Sequence, residues 1–475
     1  MDEAVIRKIV QEVVESLTKS QPAPAVATGG GVGVFQTINE AVRAAVTAQR
    51  QLMGMTLEAR GRIIEAIRQT ARQHAEDFSR RKVEETNMGR LEDEIAKHMT
   101  AANKTPGLEI LRTEAFSGDH GLTIIEMAPY GVIGAVTPVT HPCPTMINNA
   151  ISIITAGNSV VFNPHPRSKR VFVYAIDIVN RAIAAAGGPV PLVSCVVEPT
   201  LETSRELFNH PDIRLLLVTG GPGVVQEALK SSKKVIAAGP GNPPVVVDET
   251  ADIPKAARDI IAGASFDNNV MCIGEKVVFA VEPVFDSLRR EMIRQGAVEL
   301  NREQIDALAR LAFQVESGPL TFGAVEPRLN RDLVGKNADY LAKQIGLNVP
   351  ASTRLLIGET APDHLWVMEE QMMPFVPLVR ARNVDHAIEM AVVAERNYGH
   401  TAVMHSRNVA NMDKMARLMN TTLFIKNGPS GAGLGVGGEG YSSFSIASPT
   451  GEGVTTARDF TRQRRCVLVD YFRIT

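Results

Sequence analysis

The sequence predicts an α/β protein with two largely parallel sheets, and three observations carry that expectation. Short unbroken apolar runs alternate with helical stretches from Gly131 to Val247: VIGAVTP, SVVFNP, PLVSCVV, IRLLLVTG, KVIAAG and PPVVVD. Strands covered on both faces read as such runs, whereas half-exposed strands alternate apolar and polar residues. The alternation resumes in KVVFAV, STRLLIG, LVRARN, TAVMHS and TLFIKN. At 475 residues the chain also exceeds what one hydrophobic core usually serves. Two α/β domains joined near residue 240 are the simplest partition.

Taken in order, the first element expected is an amphipathic helix over residues 1–18. Val5, Ile6, Ile9, Val10, Val13, Val14 and Leu17 recur at helical spacing, with Glu3, Lys8, Glu12 and Glu15 opposite. A Pro/Ala/Gly tether follows over residues 19–34. The pattern serves a helix docked on a partner as well as one packed on its own domain or a neighbouring subunit. Two or three long helices are expected between residues 39 and 104 (NEAVRAAVTAQRQLM, LEARGRIIEAIRQTARQHAEDFSRRKVEET, LEDEIAKHMTAANKT). Two strands then flank the turn Ser117–Gly121.

Composition narrows the class. Hydrophobic content of 44% and charged content of 21% are ordinary for a soluble enzyme. A net charge of −2 argues against a nucleic-acid partner, and no apolar run reaches the roughly 18 residues of a membrane span. The N-terminus carries early acids and no apolar core, so a secretory signal is not expected. Cys143, Cys195, Cys272 and Cys466 are widely spaced and form no CxxC. Reduced cytosolic thiols, without disulfides or a metal site, are expected.

Cys272 is the candidate nucleophile. It closes the polar stretch FDNNVMC between a helix-like and a strand-like run, while Cys195 lies in an apolar strand and Cys466 begins another. A thiol is a strong nucleophile once ionised, although a lone cysteine serves equally well as core filler. The turn VTGGPG, with Gly220 and Gly221, follows a strand and opens a helix, where backbone amides can hold a pyrophosphate. It lacks GxGxxG spacing, and a tight turn uses the same residues. The glycine-rich run 428–440 reads as a mobile loop over a long ligand or as a surface loop. The polar pair Thr140–His141 and the basic run HPRSKR (165–170) each follow a strand, where open α/β sheets bind ligands.

In order, these pieces resemble the aldehyde dehydrogenase superfamily over nearly all of residues 35–470. GVIGAVTPVTHP is similar to the segment ending Pro-Trp-Asn-Phe-Pro, and AGNSVVFNPHP to Gly-Asn-Thr-Val-Val-x-Lys-Pro-Ser. LLLVTGGPG resembles the Phe-Thr-Gly-Ser turn, and VIAAGPGNPPVVV stands where the family has Glu-Leu-Gly-Gly-Lys-Ser-Pro. FDNNVMC ends at the nucleophilic cysteine, and EEQMMPFVP is similar to Glu-Glu-Ile-Phe-Gly-Pro-Val. The resemblance implies a Rossmann-like cofactor domain (35–112 and 128–239), an α/β catalytic domain (240–445) and a small β oligomerisation arm (113–127 and 446–475). It implies Cys272 and Thr140 as catalytic residues. Val136, Thr137, Pro138, Asn163, His165, Gly220, Gly221 and Glu370 are implied as NAD-binding positions, Glu370 toward the nicotinamide ribose.

Departures from the pattern carry as much. The oxyanion-binding Asn is replaced by Thr140, the adenosine-ribose Lys by Asn163, and the general-base Glu by Ala237. Alanine cannot activate water, so a thioester on Cys272 would wait for a better nucleophile. This resembles the coenzyme-A-acylating branch. EEQMMPFVP and SIASPTGEGVTTARDFTRQRRC look like the propionaldehyde and acetaldehyde dehydrogenases of bacterial microcompartments. Oxidation of a short aldehyde to acyl-CoA with NAD and coenzyme A is therefore expected, propionaldehyde ahead of acetaldehyde. A bacterial cytoplasmic enzyme inside a microcompartment is expected, docked on shell proteins through residues 1–18 and assembled as a dimer or tetramer. A hydrolytic dehydrogenase releasing free acid, or a noncatalytic shell-binding scaffold of this fold, are the alternatives.

Overall fold

The computed structural model describes residues 31–475. The expected helix over residues 1–18 and most of the tether after it lie outside the described residues. The tether stops short of residue 34, because Val32 N–H donates to Asp177 Oδ1 (2.7 Å) and Val34 pairs with Cys195 in a sheet.

Along the chain, β1 (Val34–Phe35) precedes four helices: Ile38–Met53, Leu57–Gln73, Ala75–Thr86 and Leu91–Lys104. The run expected as one helix from Leu57 to Thr86 divides at His74, whose ψ of 7° is non-helical; its ring stacks on Phe78 at 5.4 Å. A hairpin follows, β2 (Glu114–Gly118) and β3 (Gly121–Pro129). Gly121 is at φ +119°, and a β-carbon there would collide with the Leu468 carbonyl. Then come β4 (Val132–Val136), β5 (Ser159–Asn163), β6 (Val193–Val196), β7 (Ile213–Thr219) and β8 (Lys234–Ala238). These five with β1 form one parallel sheet in the order β1-β6-β5-β4-β7-β8.

The second sheet collects β9 (Pro244–Val247), β10 (Val277–Val281), β11 (Val298–Glu299), β12 (Leu356–Glu359), β13 (Phe375–Ala381), β14 (Thr401–His405) and β15 (Leu423–Lys426). All pairs are parallel, in the order β11-β12-β13-β10-β9-β14-β15. Helices cover both sheets, so the strands are almost wholly buried; this explains their unbroken apolar reading.

A short hairpin, β16 (Ile446–Ala447) and β17 (Gly453–Val454), precedes the last strand, β18 (Thr461–Val469), which pairs antiparallel with β3. The arm expected from residue 446 thus starts at Thr461. Residues 443–456 instead lie against the first sheet, for a polar reason. Ser445 Oγ bonds Thr219 Oγ1 (2.7 Å), Thr450 Oγ1 accepts from Ala237 N–H (3.0 Å), and Ser443 Oγ bonds Thr455 Oγ1 (2.8 Å). Asn158 joins arm to core: its Oδ1 accepts from the N–H groups of Tyr130 and Gly131, and its Nδ2 donates to Phe460 O.

Four buried histidines make the fold acid-sensitive. Burial holds His98 and His141 down to about 3, and His400 and His405 down to about 4. Each stays neutral in the folded state while the unfolded chain takes up a proton below pH 6.5. Folded values below unfolded ones mean stability is complete above pH 6.5 and falls as pH drops toward 4. The loss is about 1.4 kcal/mol per histidine per pH unit as an upper scale. Thermal melts at constant ionic strength should show Tm falling from pH 6.5 to 5; a flat profile contradicts this.

Candidate active site

Parallel pairing aligns strand ends, and that places the site. Val136 is in register with Asn163 and Val218, and Thr219 with Ala238. The carboxyl edge of the first sheet therefore gathers Val136–Pro138, Asn163–His165 and Gly220–Gly221. From Ala238 the chain crosses directly to the amino edge of the second sheet at Pro244. At that edge four residues precede four neighbouring strands: Glu370 before β13, Cys272 before β10, Gly241 before β9 and His400 before β14. Gly241 N–H donates to Glu370 Oε1 (3.2 Å). A β-carbon on Gly241 would lie 2.5 Å from the Cys272 carbonyl oxygen and 3.0 Å from His400 Cγ. Glycine is required there by close approach.

The turn before Cys272 is polar for a conformational reason. Asp267, Asn268 and Asn269 have φ of 47°, 54° and 62°, in the left-handed region that Asn and Asp tolerate best. All three are fully buried. Such residues cost on the order of 1–3 kcal/mol each unless their surroundings over-determine them. Asn268 Nδ2 donates to Gly335 O and Asn337 Oδ1, both at 2.8 Å. Asn269 Nδ2 donates to Glu275 O (3.0 Å).

Asp267 belongs to a buried ionic chain. Lys97 Nζ donates to Asp267 Oδ2 (2.6 Å), Glu94 Oε1 (2.8 Å) and the Thr140 carbonyl (3.2 Å). Lys82 pairs with the same Glu94 oxygen. Asp93 Oδ2 accepts from Asp267 N–H (2.9 Å) and from Arg354 (2.5 Å). Burial opposes charge on Glu94, but Lys82 and Lys97 overcome it and hold its carboxyl below the usual range. Burial also works against Lys97, and Asp267 and Glu94 keep it charged. One ammonium on the 91–104 helix thus joins the strand end at Thr140 to the turn that carries Cys272.

Cys272 is half-buried, whereas Cys143 and Cys195 are fully buried and Cys466 is exposed on the arm. Burial, then the Glu370 carboxylate, push the Cys272 thiol up to about 12; Lys276 and the N–H groups of Cys272 and Ile273 pull the other way. Burial raises Glu370 as well, opposed by Lys276 and Gly241 N–H. His400, which sequence reasoning did not single out, is buried and held neutral. Its Nδ1 faces Thr401 Oγ1 at 2.8 Å, and its Nε2 has no partner. Its signal in the sequence was position alone, a polar residue just before an apolar strand. Glu275 and Lys276 were also missed. Glu275 accepts Ser430 N–H and Oγ–H, both at 2.8 Å, tying the nucleophile loop to the glycine-rich run.

The expected cofactor positions differ in what they offer. Thr137 Oγ1 is buried without a partner. Open space faces Gly221, at the start of the Pro222–Leu229 helix. Asn163, by contrast, spends its amide inside the fold: Nδ2 donates to Ser204 Oγ (2.7 Å) and Thr200 O (3.2 Å), and Oδ1 accepts from Thr203 (2.8 Å). His165 Nδ1 accepts from Arg167 N–H (3.1 Å). Within the basic run Lys169 is paired with Glu198 and Arg170 with Glu85, leaving Arg167 exposed. Thr140 Oγ1 lies 2.9 Å from His141 Nδ1. Ala237 is fully buried among apolar neighbours that include Val218 and Val225.

One thiol-bearing loop and a dinucleotide-type sheet edge, set face to face, define a class. Residues 33–457 match the model of the aldehyde dehydrogenase family, and the chain belongs to that family. It is 50% identical over 480 aligned positions to an acetylating acetaldehyde dehydrogenase of Bilophila wadsworthia, covering 99% of this chain and 98% of that one. A propionaldehyde dehydrogenase of the Clostridium phytofermentans fucose-utilisation microcompartment superposes with a TM-score of 0.89 at 45% identity. That match covers 94% of this chain and 100% of the other. A Rhodopseudomonas palustris propionaldehyde dehydrogenase, solved with bound CoA and an acylated cysteine, gives 0.88 at 46% identity, over 92% and 98%.

Removing the bridging ammonium should be costly. Lys97→Met leaves Asp267 buried without its cation, and losing one partner of such a pair costs about 3–5 kcal/mol. Denaturant unfolding should report that loss; a variant within 1 kcal/mol of wild type would show that the bridge is dispensable.

Proposed function

We propose that this chain is a CoA-acylating aldehyde dehydrogenase, converting a short aliphatic aldehyde with NAD and coenzyme A to acyl-CoA and NADH through a thioester on Cys272. The observation that carries it is a half-buried thiol sharing a sheet edge with a neutral imidazole whose Nε2 is unpartnered, together with an alanine where the hydrolytic members keep a carboxylate. The acylated cysteine and bound CoA of the R. palustris relative support the reading. Propionaldehyde is favoured, with acetaldehyde close behind.

The carboxyl edge of the first sheet fits NAD. Thr137 offers an unpartnered hydroxyl, and Gly221 brings the start of a helix to open space, while Gly220 spends its N–H on Ala238 O (3.3 Å) and shapes the turn. Val136, Pro138 and His165 line the same edge, and Glu370, on the edge of the second sheet, would hold the nicotinamide ribose. Asn163 contributes backbone there, its amide holding the 201–209 helix. Bound NAD supplies the two-electron oxidant.

The Cys272 thiolate attacks the aldehyde carbon, forming a C–S bond. The developing oxyanion takes hydrogen bonds from Cys272 N–H and the Thr140 hydroxyl; a good donor of this kind is worth about 3 kcal/mol. Collapse of the oxyanion to a carbonyl expels the aldehydic hydrogen with its electron pair, which bound NAD would accept, and leaves the thioester on Cys272. His400, neutral with a free Nε2, takes the proton of the incoming coenzyme A thiol. The new thiolate displaces Cys272, giving acyl-CoA and a ping-pong order. The glycine-rich run 428–440, anchored through Ser430 to Glu275, flexes to admit the pantetheine arm, and Arg167, exposed and without a carboxylate partner among the described residues, is the cation for its phosphates.

The three-stranded arm joins subunits into a dimer or dimer of dimers. Its exposed Phe116, Val467 and Val469 form an apolar surface that calls for a partner. Residues 1–18 dock on microcompartment shell proteins, inside the bacterial cytoplasm.

Three measurements test this. With aldehyde and NAD but no coenzyme A, NADH should appear in one burst of about one equivalent per site and then stall; sustained turnover to free acid sinks the acylating reading. Cys272→Ala should lose about a thousand-fold or more in kcat. Deleting residues 1–18 should leave soluble activity intact and abolish co-localisation with shell proteins; loss of folding or activity would place that helix on its own enzyme instead.

A further inference from the structure

Lys276 is fully buried four residues beyond Cys272. Its backbone is clamped from two sides. Its N–H donates to Pro243 O (2.9 Å), two residues after Gly241. Its carbonyl accepts from Gln371 Nε2 (3.2 Å), next to Glu370. From that anchor the side chain folds back onto the nucleophile turn. The ammonium donates to Asn269 O (2.6 Å), Asn269 Oδ1 (2.5 Å) and Met271 O (3.1 Å). All three donors are thereby used, and all three acceptors lie just before Cys272.

Neutral carbonyls alone are a poor reason to bury an ammonium, whose desolvation costs several kcal/mol. The charges facing Lys276 supply the better reason. Burial draws the ammonium down to about 8; Glu370, the ionised Cys272 and Glu275 act against that and leave it charged at neutral pH, while His400 beside it is neutral. Glu370 opposes ionisation of the thiol, and Lys276 is the cation that opposes Glu370.

We propose that Lys276 is a positioning residue for the nucleophile, holding the left-handed turn at Asn269–Met271 and supplying the positive charge against which Cys272 ionises. This rests on Cys272 as nucleophile and adds how that thiol is made reactive. Lys276 is charged below about pH 8, so removing the charge should lower the thiolate fraction there and move ionisation of the thiol to higher pH. Lys276→Gln keeps amide donors for the carbonyls and loses the charge, and Lys276→Arg keeps the charge.

The test is the pH dependence of Cys272 alkylation by iodoacetamide in the full-length enzyme. It is read at the Cys272 peptide by mass spectrometry, because Cys466 is exposed and also reacts. Lys276→Gln should raise the midpoint by one pH unit or more, which is tenfold less thiolate at fixed pH below it. The NADH burst rate should fall to match, with KM for coenzyme A unchanged. Lys276→Arg should keep the wild-type midpoint. A Gln variant that alkylates more slowly with an unmoved midpoint overturns the proposal, since packing alone would then explain Lys276. If the Gln variant does not fold, Lys276→Arg decides: an unmoved midpoint supports the proposal, and a shift of one unit or more overturns it. Turnover retained by Cys272→Ala would strike at the nucleophile itself, separately from any result on Lys276.

Discussion

The Lys97 ammonium is the constraint on which the candidate site depends. It sits on a helix outside both sheets, yet it touches both sides of the cleft: the Thr140 carbonyl, four residues past β4, and the Asp267 carboxylate that starts the nucleophile turn. In a low-dielectric interior these contacts have no water to replace them, so either both strand ends hold their places or a charge is stranded. Glu94, shared by Lys97 and Lys82, completes the neutralisation. The strained run Asp267–Asn269 persists because this chain of charges and the bonds to Gly335, Asn337 and Glu275 leave it no alternative.

Opposed sheet edges explain the rest of the geometry. Parallel strands bring their carboxyl ends to one edge, where glycine turns and helix starts favour an anionic cofactor. The direct crossing from β8 to β9 sets the amino edge of the second sheet against it. Cys272, Glu370 and His400 are far apart in sequence and share that edge because β10, β13 and β14 sit within one short stretch of the same sheet. Glu370, half-buried, opposes ionisation of the thiol, and the buried Lys276 favours it. Water gains no base at position 237, which favours a thiol as the acyl acceptor.

Much of the fold was legible along the chain. Unbroken apolar runs marked nearly every buried strand, since both faces are covered. Cys272 was singled out by its polar neighbours, although their polarity proves to serve backbone geometry and buried hydrogen bonds. The errors have physical causes. The Leu57–Thr86 run has helical periodicity throughout, and the break at His74, where ψ is 7°, leaves no mark in that pattern. The arm was drawn from residue 446 because apolar and glycine-rich residues mask how Ser445 and Thr450 bond to the first sheet. The tether was drawn too long because Gly31 and Gly33 resemble a flexible linker while Val32 and Val34 are held by Asp177 and Cys195.

By itself the sequence determined the class, because apolar runs, a thiol after a polar turn and a missing carboxylate at Ala237 are properties of residues in order. Those chemical identities are local and survive without coordinates. Tertiary structure alone decided that His400 and Lys276 stand beside Cys272, that Asn163 spends its amide on a helix, and that Lys97 joins the two sides. Each is a relation between residues 4 to 170 or more positions apart, brought together by strand order and burial. Charge and protonation in the site follow from that burial, which no local pattern records.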